Sequence, residues 1–139
     1  MKEFSCSIVI DAAPEAIWEI LCAGERWVEW NSTIDRLEGK IEPGRTVKVW
    51  VKANPGRAFP VKVSTFERPS RMVWTGGMPF GLFKGERTYL LSPRGRSTEF
   101  SMTERFTGPM SPMIVSSIPD LNPAFQEFAR CLKTRAESR

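Results

Sequence analysis

Apolar and polar residues alternate along the first strand-like stretch, where Cys6, Ile8 and Ile10 share one side against Ser7 and Val9. A period of two over residues 5–11 predicts a β-strand with one buried face. Pro14 then opens a helix, at a position where its missing N–H would have had no intrahelical partner anyway. Ile17, Trp18, Ile20 and Leu21 give this helix an apolar face. Gly24 is its expected stop. Residues 25–30 are long enough for one or two further turns. Trp27 and Trp30 are three apart and fall on one side.

From residue 34 the period returns to two and stays there. Strands are predicted at 34–41, 47–52, 59–63, 72–75, 85–92 and 98–106. Turn sequences separate them: Pro43-Gly44, Asn54-Pro55-Gly56, Arg68-Pro69-Ser70 and Arg94-Gly95-Arg96. Residues 76–83, Gly-Gly-Met-Pro-Phe-Gly-Leu-Phe, read as a loop of unusual apolar content. The tail changes period once more. Ile114, Ile118, Leu121, Phe125, Phe128 and Leu132 recur at helical spacing and predict a long helix lying on an apolar surface. Asn122-Pro123 reads as an N-cap followed by a first-turn proline. With Pro119 it predicts a break in that helix. Residues 133–139 are polar and are expected to fray. The whole pattern predicts one α+β domain over residues 1–139: an antiparallel meander of seven strands, two short helices after the first strand, and a terminal helix covering the sheet.

Composition narrows the function classes. The formal charge is +4, but the basic residues are spread out, and Arg94/Arg96 and Lys48/Lys52 are the densest groups. Without a basic cluster the charge reads as a solvated surface, not a nucleic-acid footprint. The chain has three cysteines, without CxxC spacing, and no histidine. Neither a Cys/His zinc site nor a disulfide framework is expected, and buried free thiols fit a reducing compartment. The N-terminus runs straight into a strand pattern, with no long uncharged apolar stretch. A cytoplasmic protein without signal peptide or membrane span is the expectation. No metal or cofactor motif stands out.

Strand parity then assigns faces. Phe100, Met102, Glu104 and Phe106 share one side of the last strand; Ser101, Thr103 and Arg105 share the other. Arg87, Tyr89 and Leu91 share a side of the strand before it. A two-residue turn at Gly95-Arg96 places Leu91 opposite Phe100, Tyr89 opposite Met102 and Arg87 opposite Glu104. A carboxylate among aromatic rings needs a partner, and the guanidinium of Arg87 is the natural one. This pair either only neutralises itself or also meets a polar group of a ligand. Trp74 shares the inner face with Met72, as core or as ligand platform. Met78, Phe80, Leu82 and Phe83 either fold back into the core, form a lid, or offer a contact patch to a second subunit in a homodimer.

The order of elements, together with Ala13-Pro14-Glu15-Ala16-Ile17-Trp18, Trp30-Asn31, Val73-Trp74-Thr75-Gly76, Gly85-Glu86-Arg87-Thr88-Tyr89 and Thr103-Glu104-Arg105-Phe106-Thr107-Gly108, resembles the SRPBCC group of the START-like, helix-grip superfamily. The likeness is to its polyketide-cyclase/dehydrase-like bacterial members and covers nearly the whole chain. It implies a cavity between a curved sheet and the last helix, and no shared catalytic set. Relatives often carry histidine at the position of Arg87, so histidine-dependent chemistry is not expected here.

Three functions follow as expectations. The first is binding of a small apolar, lipid- or polyketide-like molecule by Trp74, Arg87, Tyr89, Phe100, Met102 and Glu104 from the sheet and Phe125 and Phe128 from the helix. The second is a cyclase or dehydratase, with Glu104 and Tyr89 as acid/base candidates and Arg87 stabilising an enolate; a Glu104 paired to a cation is a poor acid. The third is a protein-interaction module of chaperone-activator type, using residues 76–83.

Overall fold

The computed structural model describes residues 2–52, 56–116, 118 and 120–138. Its strands are β1 (Lys2–Ile10), β2 (Ile34–Glu38), β3 (Thr46–Val51), β4 (Ala58–Glu67), β5 (Arg71–Met78), β6 (Phe83–Arg94) and β7 (Ser97–Thr107). Its helices are α1 (Pro14–Cys22), α2 (Trp27–Trp30), α3 (Ser111–Val115) and α4 (Asn122–Glu137). The strands form one sheet in the order β1-β7-β6-β5-β4-β3-β2, every pair antiparallel. β2 to β7 are a plain meander. β1 closes it from the far side by pairing with β7 along its whole length, from Lys2 opposite Phe106 to Ile10 opposite Thr98. Register shifts between Ile34 and Arg36 and between Val63 and Thr65 add local twist, which helps the sheet curl. The result is the helix-grip architecture that the sequence predicts.

α4 lies in the concave side. Phe125, Phe128, Ala129, Leu132 and Ala136 are buried along it. Lys133 Nζ donates to the Val9 carbonyl at 2.9 Å, and the Asp11 N–H donates to Glu137 Oε2 at 2.8 Å. The helix therefore extends past Lys133 to Glu137, beyond the polar end expected to fray, with Val9 of β1 and Asp11 just after it as polar partners. Arg139 lies outside the described residues. Among the described residues no helix is long and apolar enough to cross a membrane.

The structure corrects several sequence boundaries. β2 stops at Glu38, although Ile41 is still buried beneath the following turn. α1 ends on Ala23, and Gly24 instead starts a 3-10 turn that runs to Arg26. A Cβ on Gly24 would meet Leu37 Cδ2 at 2.8 Å, so this glycine permits close packing, not a helix stop. Asn122 is the first helical residue of α4 and caps nothing; its N–H donates to Asp120 Oδ1 at 3.0 Å. The tail has the predicted break and is two helices, α3 and α4, but Ile114, Ile118 and Leu121 of the expected stripe are only half-buried while the stripe from Phe125 onward is buried. Pro119, to which the break was assigned, and Asn54-Pro55 of one predicted turn lie outside the described residues. Residues 76–83 are not a free loop. β5 runs on to Met78, β6 starts at Phe83, and only the 3-10 turn Pro79–Gly81 and Leu82 separate them.

Candidate functional site

The β6–β7 hairpin carries the polar part of the concave face. Gly95 has φ 65° at the tip, the positive value a two-residue primed turn requires. That turn sets Arg94 opposite Ser97 and so fixes the register: Leu91 faces Phe100, Tyr89 faces Met102 and Arg87 faces Glu104. Arg87 Nε donates to Glu104 Oε1 at 2.6 Å. The guanidinium also lies over the Phe125 ring of α4, 5.0 Å from its centroid. The pair is not sealed, since the Arg87 and Glu104 side chains keep 25% and 17% exposure. Burial opposes the charge on Arg87, but the facing Glu104 carboxylate and Tyr89 together outweigh it and hold the guanidinium firmly protonated.

Deeper in, the face is aromatic and packed. Trp27 stacks on Trp74 at 5.3 Å and 17°, and meets Trp30, Tyr89 and Phe128 edge-on or tilted. Phe128 in turn stacks on Phe100 at 6.0 Å. Rings thus fill the space between the sheet and α4 at this depth. All eight residues expected at the site come together on the inner face: six on the sheet, with Phe125 and Phe128 opposite them. Trp27 was missing from the expected set. Its three-residue spacing from Trp30 hinted at a shared face, but nothing in the sequence says that this face meets Trp74. Phe4 was also missing, while Phe106 was expected on the inner face and Phe83 in the folded-back or lid segment, neither of them at the site. The three form an aromatic rim beside Arg87 and Glu104, with Phe83 stacked on Phe106 at 5.7 Å and Phe4 edge-on to Phe106 at 6.2 Å.

Two hollows lie outside this ring cluster. One, of about 490 Å³ and open to solvent, is lined by Thr75, Gly76, Gly77, Met78, Pro79, Gly81, Phe83 and Lys84 at the β5–β6 tip. The other, of about 260 Å³, is on the outer face among Arg71, Val73, Glu86, Thr88, Thr103 and Arg105.

Besides Trp30 Nε1, two buried polar atoms at the ring cluster have no hydrogen-bond partner among the described residues, Tyr89 Oη and Trp74 Nε1. Both residues are over nine-tenths buried, and groups so placed are costly unless something pairs with them. Tyr89 Oη is near enough to Arg87 to feel its charge but is not in good hydrogen-bond geometry with it. Burial pushes the phenol up to about 12, against the pull of the Arg87 cation. Tyr89 is the single tyrosine of the chain, so difference absorbance reports on this group alone. A titration should show no tyrosinate near pH 10, where a free phenol is half-ionised. Arg87→Met should raise the midpoint further, because the cation that favours the phenolate is gone. A midpoint near 10 would mean that water reaches Tyr89 freely. The sign for stability follows. The folded state holds the proton more tightly, so this contribution is complete below about pH 10 and is lost as pH rises towards 12.

Among the described residues no group of three or more Cys, Asp or Glu side chains could hold a metal ion. Cys6, Cys22 and Cys131 are free thiols; Cys131 is buried and the other two are half-buried.

A curled antiparallel sheet gripping a C-terminal helix is the helix-grip fold of START-like structures. The chain matches the family described as polyketide cyclase/dehydrase and lipid transport over residues 1–137, and it belongs to that family. Solved structures share the fold at low identity. A START superfamily protein from Mycobacterium smegmatis is 18% identical with a TM-score of 0.70, covering 98% of this chain and 97% of that one. A Mesorhizobium loti protein is 15% identical at 0.75, covering 99% and 98%. A Thalictrum norcoclaurine synthase bound to a transition-state analogue is 13% identical at 0.75, covering 99% and 94%. No protein of curated function matches the chain.

Proposed function

We propose that the protein binds a small, largely apolar molecule carrying an oxygen at one end, between the sheet and α4. The observation that carries this reading is the arrangement at Arg87. A charged pair with partial exposure borders an aromatic interior, and the unpaired Tyr89 Oη and Trp74 Nε1 lie beside it. Binding sites are mostly apolar walls with a few placed polar groups, and this region offers that composition. The guanidinium and the protonated phenol can both donate to a ligand oxygen. Phe4, Phe83, Phe106 and Phe125 supply apolar walls. Because rings occupy the deeper interior, the ligand enters from the rim and displaces side chains there, at the cost of some packing.

The family description, which joins cyclisation and dehydration to lipid transport, fits either a carrier or a catalyst. One observation favours a catalytic variant of the same site: Tyr89 is held protonated to about 12 beside a fixed cation. In that arrangement Tyr89 and Arg87 would stabilise an enolate oxygen, and Glu104 would hold the guanidinium in place.

Native mass spectrometry of freshly purified protein is the direct test. The expected result is a co-purified small molecule that leaves on denaturation. Met102→Trp, which adds bulk between Tyr89 and Phe100, should weaken binding of anilinonaphthalene sulfonate about tenfold or more by overfilling the site. Unchanged dye affinity in that variant would place the dye, and the site, elsewhere.

A further inference from the structure

Two stretches of the chain carry no charge at all, residues 72–83 and residues 106–119, in a protein of which 26% is charged. The fold brings their described parts together. Met110 N–H donates to the Leu82 carbonyl at 2.9 Å. Gly108, at φ 105°, lets the backbones touch: a Cβ there would lie 2.6 Å from the Leu82 carbonyl oxygen. The β5–β6 tip and α3 therefore share one end of the molecule. Phe83 alone folds back from the tip, onto Phe106. Phe80 is 97% exposed, and Met78, Leu82 and Met113 of α3 are exposed with it. Phe80 also has φ 60°, a value that asparagine or glycine adopts far more readily than phenylalanine. An aromatic ring held in water on a strained backbone contributes nothing evident to the fold.

Three cations stand around this end. Lys84 sits opposite Gly77 and Thr107, Lys2 opposite Phe106, and Arg57 beside the Phe59 ring. Lys2 and Arg57 have no acidic partner among the described residues. Of the acids nearby in the chain, Glu86 pairs with Lys84 at 3.4 Å and Glu3 with Arg105 at 3.1 Å, while Asp120 keeps its charge and accepts the N–H of Asn122.

We propose that this end docks on an anionic lipid bilayer, with Phe80 as the inserted wedge and Met78, Leu82 and Met113 seated around it. An apolar point beside two cations without acidic partners, Lys2 and Arg57, matches a headgroup layer over acyl chains. A second copy of this chain fits less well. A two-fold interface would bring Lys2, Arg57 and Lys84 of two positively charged molecules together, and a single protruding ring makes no broad self-complementary patch. The docking does not depend on what, if anything, the interior binds.

Co-sedimentation with phosphatidylcholine vesicles, with and without a quarter phosphatidylglycerol, tests it. The full chain should bind the anionic vesicles more tightly than the neutral ones, and high salt should weaken that binding several-fold. Phe80→Ser should lower partitioning about tenfold or more. Phe80→Gly should do the same with its denaturation midpoint unchanged or higher, because glycine accepts the φ of 60°. The proposal is overturned if the wild type stays in the supernatant with anionic vesicles, or if both Phe80 variants bind as it does. It is also overturned if sedimentation velocity shows a wild-type dimer that these variants dissolve, since the patch then serves a second copy.

Discussion

Phe128→Ala is expected to cost about 3–5 kcal/mol of folding stability, the range for emptying a well-packed aromatic site. Phe128 is 2% exposed and touches the rings of Trp27, Trp30, Tyr89 and Phe100. It is the one α4 ring that joins the sheet to α2. Truncating it leaves a void bounded by four large side chains that cannot all move inward, since they are fixed on three separate elements, α2, β6 and β7. For a domain whose whole stability is of the order of 5–15 kcal/mol, the variant would be partly unfolded under mild conditions. Urea denaturation followed by tryptophan fluorescence measures it. A cost below about 1 kcal/mol would mean that α4 does not grip the sheet through this ring.

The second large effect separates stability from binding at Arg87 and Glu104. Removing either partner alone leaves a poorly solvated charge. A sealed pair would lose about 3–5 kcal/mol; with 25% and 17% exposure, roughly 2–3 kcal/mol is expected for Arg87→Met or Glu104→Leu. The double variant has no stranded charge and should recover most of that loss. If the pair anchors a ligand, the recovered stability comes with no recovery of anilinonaphthalene sulfonate binding. If it only neutralises itself, the double variant binds the dye nearly as the wild type does. The four proteins, compared by denaturant midpoint and dye affinity, give a coupling energy for each property. A double variant that is stable and binds normally would sink the role of Arg87 in the proposed function.

Much of this site was readable from the sequence because it rests on local rules. A two-residue turn at Gly95-Arg96 fixes the β6–β7 register, and period-two parity fixes which side chains share a face. Together they put Arg87 opposite Glu104 before any tertiary contact is considered. The helical spacing of Phe125, Phe128 and Leu132 likewise required one buried face. Residues 76–83 show the limit of such reading. Their glycines and proline signalled a turn, but backbone pairing with β6 extended β5 to Met78, so most of the segment is hairpin and not loop.

The sequence by itself determined the strand order of the meander, the faces of β6 and β7 and the apolar stripe of α4, because each follows from repeats and turns within a few residues. Only the tertiary structure decided that β1 pairs with β7, that Trp27 stacks on Trp74, that rings fill the interior beside Arg87, and that Phe80 faces water. Those outcomes join residues far apart in the chain, as Lys2 and Phe106 are. Apolar character is the same signal whether a side chain ends in the core or outside it. The choice is made by which surfaces the folded sheet leaves free to cover it.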